Sequence, residues 1–254
     1  MDEDRSPTAI LREREIEVIV ESARGSIAGG RQNLGNLDHP RGVVGYQTKA
    51  DEMAKWLRPG MRMLDWGCNF GQMAWLMNMR GMEVAALDVA ENRHPTPLLD
   101  AIGVTPLFVD DPITLPYPDR SFDAVLSCGV LEHVYDVDAS LREVKRILKP
   151  GGIFFVYNLP NSLSWIEWVG RRMGSGHDRL WTLGAAKRLI AGHGFDVAVA
   201  RREDVLPRNM GVLPLSARRA FLALDPALEA IDTVVMHTPL AWFGTNLTYI
   251  ARSR

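Results

Sequence analysis

Leu64-Asp65-Trp66-Gly67-Cys68-Asn69-Phe70-Gly71, running on into Gln72-Met73-Ala74-Trp75-Leu76-Met77, decides how the rest of this sequence is read. An apolar strand from Met61 to Trp66 meets two glycines four positions apart. A helix from Gln72 to Arg80 follows and stops at Gly81. Glycine lets a backbone turn tightly and approach a ligand closely. The start of the following helix offers unpaired N–H groups. The next strand, Glu83 to Val89, ends in Leu87-Asp88, about twenty residues after Gly67, where an acid can accept both hydroxyls of a ribose.

Outward from this unit, strand-like and helical stretches alternate. Strands are expected at 104–109, 122–128, 153–157, 195–200 and 247–251. Helices are expected at 137–148, 163–173 and 183–191, and 92–102 is partly helical but broken by Pro95 and Pro97. Alternation of this kind implies an α/β fold with helices on both faces of a mostly parallel sheet. Near-continuous apolar strands such as Val84-Ala85-Ala86-Leu87 suit burial on both sides. Before the alternation, Ser6-Pro7 reads as a helix start, with the helix continuing to about Ala23. Residues 25–45, rich in Gly, Asn, Asp and Pro, read as irregular, and a second helix is expected from Thr48 to Leu57. Residues 206–238 read as an irregular, partly helical insert.

The 254 residues are 46% hydrophobic, enough for one large core. The expected organisation is one domain over 1–254: a helical cap (1–58), a binding core (59–160), then lid inserts and final strands (161–254). A formal net charge of −2 gathers no polyanion, so no nucleic-acid partner is expected. Two cysteines cannot frame a disulfide scaffold, the first residues are acidic rather than signal-like, and no apolar run reaches ~18 residues. The expectation is a cytoplasmic protein without a transmembrane segment.

The glycine turn alone admits a dinucleotide. A pyrophosphate fingerprint, however, wants three glycines in G-x-G-x-x-G order, and here Asn69 stands in the middle. Asp65 just before the turn would also repel a pyrophosphate, whereas it suits a ligand carrying an ammonium and a sulfonium. The segment Asp65–Gly71 resembles motif I of class I S-adenosylmethionine (SAM)-dependent methyltransferases, and Asp88 matches their ribose acid. The stretch from Asp110 to Asp123 resembles the family's run into strand four. Cys128-Gly129-Val130-Leu131-Glu132-His133-Val134 resembles its post-strand-four motif, and Leu141 to Gly152 its helix and Lys-Pro-Gly-Gly turn. The resemblance covers roughly Asp51 to Tyr157 and is closest to small-molecule enzymes of the ubiquinone/menaquinone-biosynthesis (methyltransferase type 11) kind.

This resemblance implies a Rossmann-like sheet of seven strands, the last antiparallel, and SAM as cofactor. It implies that Asp65, Gly67, Cys68, Asn69 and Gly71 lie at the methionine end of SAM, and Asp88 and Val89 at the ribose. Asp111 or its neighbour Asp110 would meet the adenine, and Cys128 and Gly129 the sulfonium side. The family usually has glycine where this chain has Asn69, a residue that tolerates positive φ better than most. His133 is a candidate general base or a loop-positioning residue. Tyr46, His177 and Trp181 are candidate acceptor contacts in regions outside the shared core. No metal is expected, because no His or Cys cluster accompanies Cys68 and Cys128. Trp165, Ile166, Val169 and Met173 share a helical face, read as a lid over the pocket or as a peripheral lipid contact. The acceptor is expected to be small or medium-sized and partly apolar, from secondary metabolism or a glycan or glycolipid pathway; the sequence leaves the oligomeric state open. Two other readings stand beside this one: a non-catalytic SAM- or S-adenosylhomocysteine-binding protein, and an NAD(P)-dependent oxidoreductase.

Overall fold

A computed structural model describes residues 6–31, 34–172, 174, 176–177, 179–206 and 224–254. Met173, on the expected helical face of 163–173, lies outside the described residues.

The chain opens with α1 (Pro7–Ala28), whose N-cap Ser6 accepts a hydrogen bond from the Ala9 amide through its hydroxyl. The helix runs past the expected stop near Ala23. The next helix, α2 (Pro40–Ala54), begins well before the expected Thr48. Proline sits in its first turn and His39 Nδ1 caps the Gly42 amide at 3.3 Å. A Cβ at Gly42 would lie 1.5 Å from the Asn36 carbonyl oxygen, so glycine here serves close packing rather than irregular chain. Both helices are fastened to the core by a buried polar network. Glu15, 2% exposed, accepts from Arg80 and from Gln47, and Arg80 also reaches Asp51 at 2.5 Å.

The core elements are β1 (Arg62–Trp66), α3 (Gln72–Met79), β2 (Glu83–Val89), α4 (Pro97–Asp100), β3 (Leu107–Val109), β4 (Phe122–Cys128), α5 (Val137–Ile147) and β5 (Leu148–Pro160). Then come α6 (Trp165–Arg172), α7 (Leu183–Gly192), β6 (Phe195–Glu203), α8 (Asp225–Val235) and β7 (Asn246–Ser253). The seven strands lie in the order β3-β2-β1-β4-β5-β7-β6. β7 runs antiparallel to both of its neighbours, and the other pairs are parallel. Alternate residues bury on opposite faces: Met63, Ala124, Phe155 and Tyr157 on one, Leu64, Val125, Phe154 and Val156 on the other. Two-sided burial is what the continuous apolar strands required. Strand order reverses between β1 and β4, which opens a crevice beyond their carboxyl ends. No helix among the described residues is long and apolar enough to cross a membrane.

Candidate active site

The crevice is built by the turn from β1 into α3. The Gly67 and Cys68 amides both donate to the Leu87 carbonyl, and the Gly71 amide donates to Cys68 O at 2.7 Å. Gly67 and Gly71 have φ of 77° and 84°, and Asn69 sits at 45°. A Cβ on Gly67 would lie 2.4 Å from Val130 Cγ2, so the turn after β1 and the loop after β4 touch with no room for a side chain. This contact sets Val130, two residues after Cys128, against the glycine turn.

Two acids underlie the turn. Asp65 is 2% exposed and accepts from the Ala74 amide at 3.0 Å. Burial pushes its carboxyl up to about 7; the Ala74 bond opposes the shift and the Asp88 charge adds to it. Among the described residues no cationic side chain pairs with Asp65. Asp88 holds the turn from the next strand: Oδ2 accepts from the Asn69 amide at 2.6 Å, and Oδ1 from the Val89 amide and Asn92 Nδ2. Three donors on a carboxylate with about four acceptor sites leave room for another. The Asn69 side chain, absent where the family has glycine, accepts from Arg31 Nη2 at 2.6 Å. Arg31 also donates to the Pro95 carbonyl and lies over the Phe70 ring.

Of the other expected residues, Tyr46 reaches this neighbourhood. Its hydroxyl accepts from Asn36 at 2.9 Å, and burial, then the nearby Cys128, raise its pKa. Both cysteines are free thiols, and burial pushes Cys128 up to about 12. Asp111 accepts from the Ile113 and Thr114 amides and from the Tyr135 hydroxyl, so it is the member of the acidic pair that shapes the turn. Asp110 is exposed beside it. Trp181 lines a groove of about 670 Å³ with Tyr135, Val137 and Arg179, and none of the glycine-turn residues lines that groove.

Beyond β4 the structure assembles a cluster that no spacing in the sequence announces. Chain 179–182 returns beside the end of β5, where the Trp181 amide donates to Pro160 O and Arg179 donates to Val134 O. His177 therefore arrives next to Glu132 and His133, with the two imidazole rings 5.7 Å apart. The Glu132 side chain is 3% exposed, and burial pushes its carboxyl up to about 7. On α6 the buried residue is Glu167, not the expected Trp165–Ile166–Val169 face; Trp165 and Trp168 are 43% and 60% exposed. The reason is polar: Glu167 accepts from the His177 amide and holds His177 Nδ1 at 2.8 Å.

The model of the family described as "Methyltransferase domain" matches residues 64–156, which is the stretch from β1 to β5. A ubiquinone biosynthesis O-methyltransferase of Cereibacter sphaeroides is 35% identical over 160 residues, covering 58% of this chain and 64% of that protein. The solved [4+2]-cyclase SpnF is 25% identical with a TM-score of 0.56, covering 82% of this chain and 80% of that one. A Haemonchus contortus phosphoethanolamine N-methyltransferase 2, solved with S-adenosyl-L-methionine, has a TM-score of 0.55 at 23% identity, covering 83% of this chain and 52% of that one. The chain spans less than half the length of the first curated relatives it matches. The stretch from β1 to β5 is thus similar to the methyltransferase family that it matches, and the sheet around it has the fold of the solved neighbours.

Proposed function

We propose that this protein is a SAM-dependent methyltransferase acting on a small or medium-sized, partly apolar acceptor. The observation that carries the reading is Asp65: a buried carboxylate under a glycine turn, with no cationic partner among the described residues. An ammonium beside it would replace the lost hydration of the ionised form. With Asp88 on the neighbouring strand, the crevice is anionic, which suits a sulfonium ligand and opposes a pyrophosphate. Gly67, which has no Cβ, lets Val130 pack directly against the turn and so seats the loop after β4 beside it. SAM, when bound, supplies a methyl group on a sulfonium, already activated for transfer.

The chain's own part is alignment and exclusion of water. Asp65 binds the amino-acid end and Asp88 the sugar; the acidic pair Asp110–Asp111 closes the adenine side. Cys128 and Gly129 face the reacting centre. The acceptor enters beyond β4, past Tyr46, His133 and His177, and Trp181 borders the outer approach. Exposed Trp165, Trp168, Trp242 and Phe243 support an acceptor with apolar or lipid character. The same reading takes the chain as one functional unit of cap, core and inserts, without a nucleic-acid partner and in a reducing compartment, in keeping with two free thiols.

Calorimetry with SAM, S-adenosylhomocysteine and NADH tests the cofactor, and labelled SAM with a panel of hydroxyl, amine and carbon acceptors tests transfer. SAM binding with turnover is the expected result. Binding of NADH alone would overturn it, and SAM binding without transfer to any acceptor would favour the non-catalytic reading, a contrast sharpened by the cyclase among the structural relatives.

A further inference from the structure

We propose that Glu132, His133 and His177 hold a divalent transition-metal cation, with open coordination positions facing an acceptor that presents hydroxyl oxygens. One ligating atom from each residue lies within 4.8 Å of the others. A cation bonded at about 2.0–2.2 Å wants its ligand atoms roughly 3.4 Å apart, so the cluster has to contract by about 1 Å. His133 can supply that movement. Its side chain is 66% exposed, and its Nε2 already stands 3.9 Å from Glu132 Oε1.

Two further observations point to a cation rather than to a plain polar cluster. First, Glu132 Oε2 is buried without a hydrogen-bond partner. A buried acceptor left so is costly, and a cation would satisfy it. Second, Glu167 fixes His177 Nδ1 at 2.8 Å, which leaves Nε2 as the ligating nitrogen. A carboxylate behind a metal-bound imidazole is the usual outer support of such sites. Two imidazoles and one carboxylate favour zinc, iron, cobalt or manganese over calcium, and three protein ligands leave positions open. The site begins three residues after Gly129, on the acceptor side of the crevice. Oxygen donors on the acceptor fill the open positions, so the class is a hydroxyl compound, with two neighbouring oxygens favoured by chelation. The role of the acceptor rests on the methyltransferase reading; the metal site itself does not.

The test uses the full chain, stripped with a chelator and dialysed, titrated calorimetrically with zinc chloride and, to avoid thiol background, with manganese chloride. One equivalent of metal is expected. Binding should weaken by at least ~100-fold in His177→Ala and by roughly 10–100-fold in Glu167→Gln. His133→Ala changes a largely exposed side chain, so it keeps the proposal testable if a buried variant misfolds. Wild-type protein that takes up no metal, or takes up as much as His133→Ala and His177→Ala do, overturns the proposal. SAM titrated into the same stripped sample separates the two readings. SAM binding without metal binding sinks the cation site alone, and metal binding without SAM binding sinks the methyltransferase reading alone.

Discussion

Gly67→Ala is the most demanding test of the glycine turn. The residue has φ of 77°, and its added Cβ would lie 2.4 Å from Val130 Cγ2 and 3.5 Å from Val130 Cβ. Two costs follow. The left-handed backbone costs alanine about 1–2 kcal/mol. Overpacking against a β-branched neighbour, which has little rotamer freedom, costs about 1–3 kcal/mol more. The sum is ~2–5 kcal/mol, or a fall in Tm of roughly 6–15 °C at about 3 °C per kcal/mol for a chain of this size. The two parts separate in a double-mutant cycle with Val130→Ala. That change removes the clash but leaves the backbone cost, so a coupling of about 1–3 kcal/mol is expected, with the pair less damaging than the singles added. Thermal and urea unfolding read the stability, and SAM calorimetry reads the turn. A Gly67→Ala variant within about 0.5 kcal/mol of wild type, or a cycle with no coupling, would refute the reasoning.

Asp88→Ala removes the acceptor for the Asn69 and Val89 amides and should weaken SAM binding by ~1–3 kcal/mol, read by calorimetry; unchanged affinity in a folded variant would remove Asp88 from the site. Asp65, lifted by burial to about 7 from the ordinary 3.8, holds its proton in the folded chain where the unfolded chain has lost it. Its contribution to stability is therefore greatest below pH ~4 and is lost as pH rises through about 7. SAM affinity should climb over the same interval, since the ammonium needs the ionised form; Asp65→Asn should flatten both profiles, and a variant that keeps the wild-type slope would contradict this. Glu15→Ala leaves Arg80 with Asp51 as its remaining carboxylate and should cost about 1–3 kcal/mol in urea unfolding, whereas a neutral result would show that the buried network is dispensable.

The sheet was legible because its strands are almost continuously apolar. Glu83–Val89 and Phe122–Cys128 form strands with the expected bounds. The glycine turn was legible because so few residue types tolerate its backbone. The helix at Pro40 was not, since composition spoke for irregular chain while a cap from His39 and a close approach to Asn36 decided otherwise. On α6, period alone favoured a tryptophan face. The actual inward residue is an acid, because its partner His177 stands in a different segment. The same distance along the chain hid the Glu132–His133–His177 cluster: 133 and 177 meet only once Arg179 and Trp181 have tied the return segment to Val134 and Pro160. Local rules of spacing cannot join residues that tertiary packing joins.

Arg31 grips the side chain of Asn69 and the carbonyl of Pro95 from the start of the α1–α2 connection. A shortened chain starting at residue 59 would keep every glycine of the bend and both acids beneath it, yet would lose the clasp on its outer rim. Arg31 thus braces the rim of the bend from outside the β1–β5 core. In a relative with glycine at 69, the same arginine would have nothing there to hold.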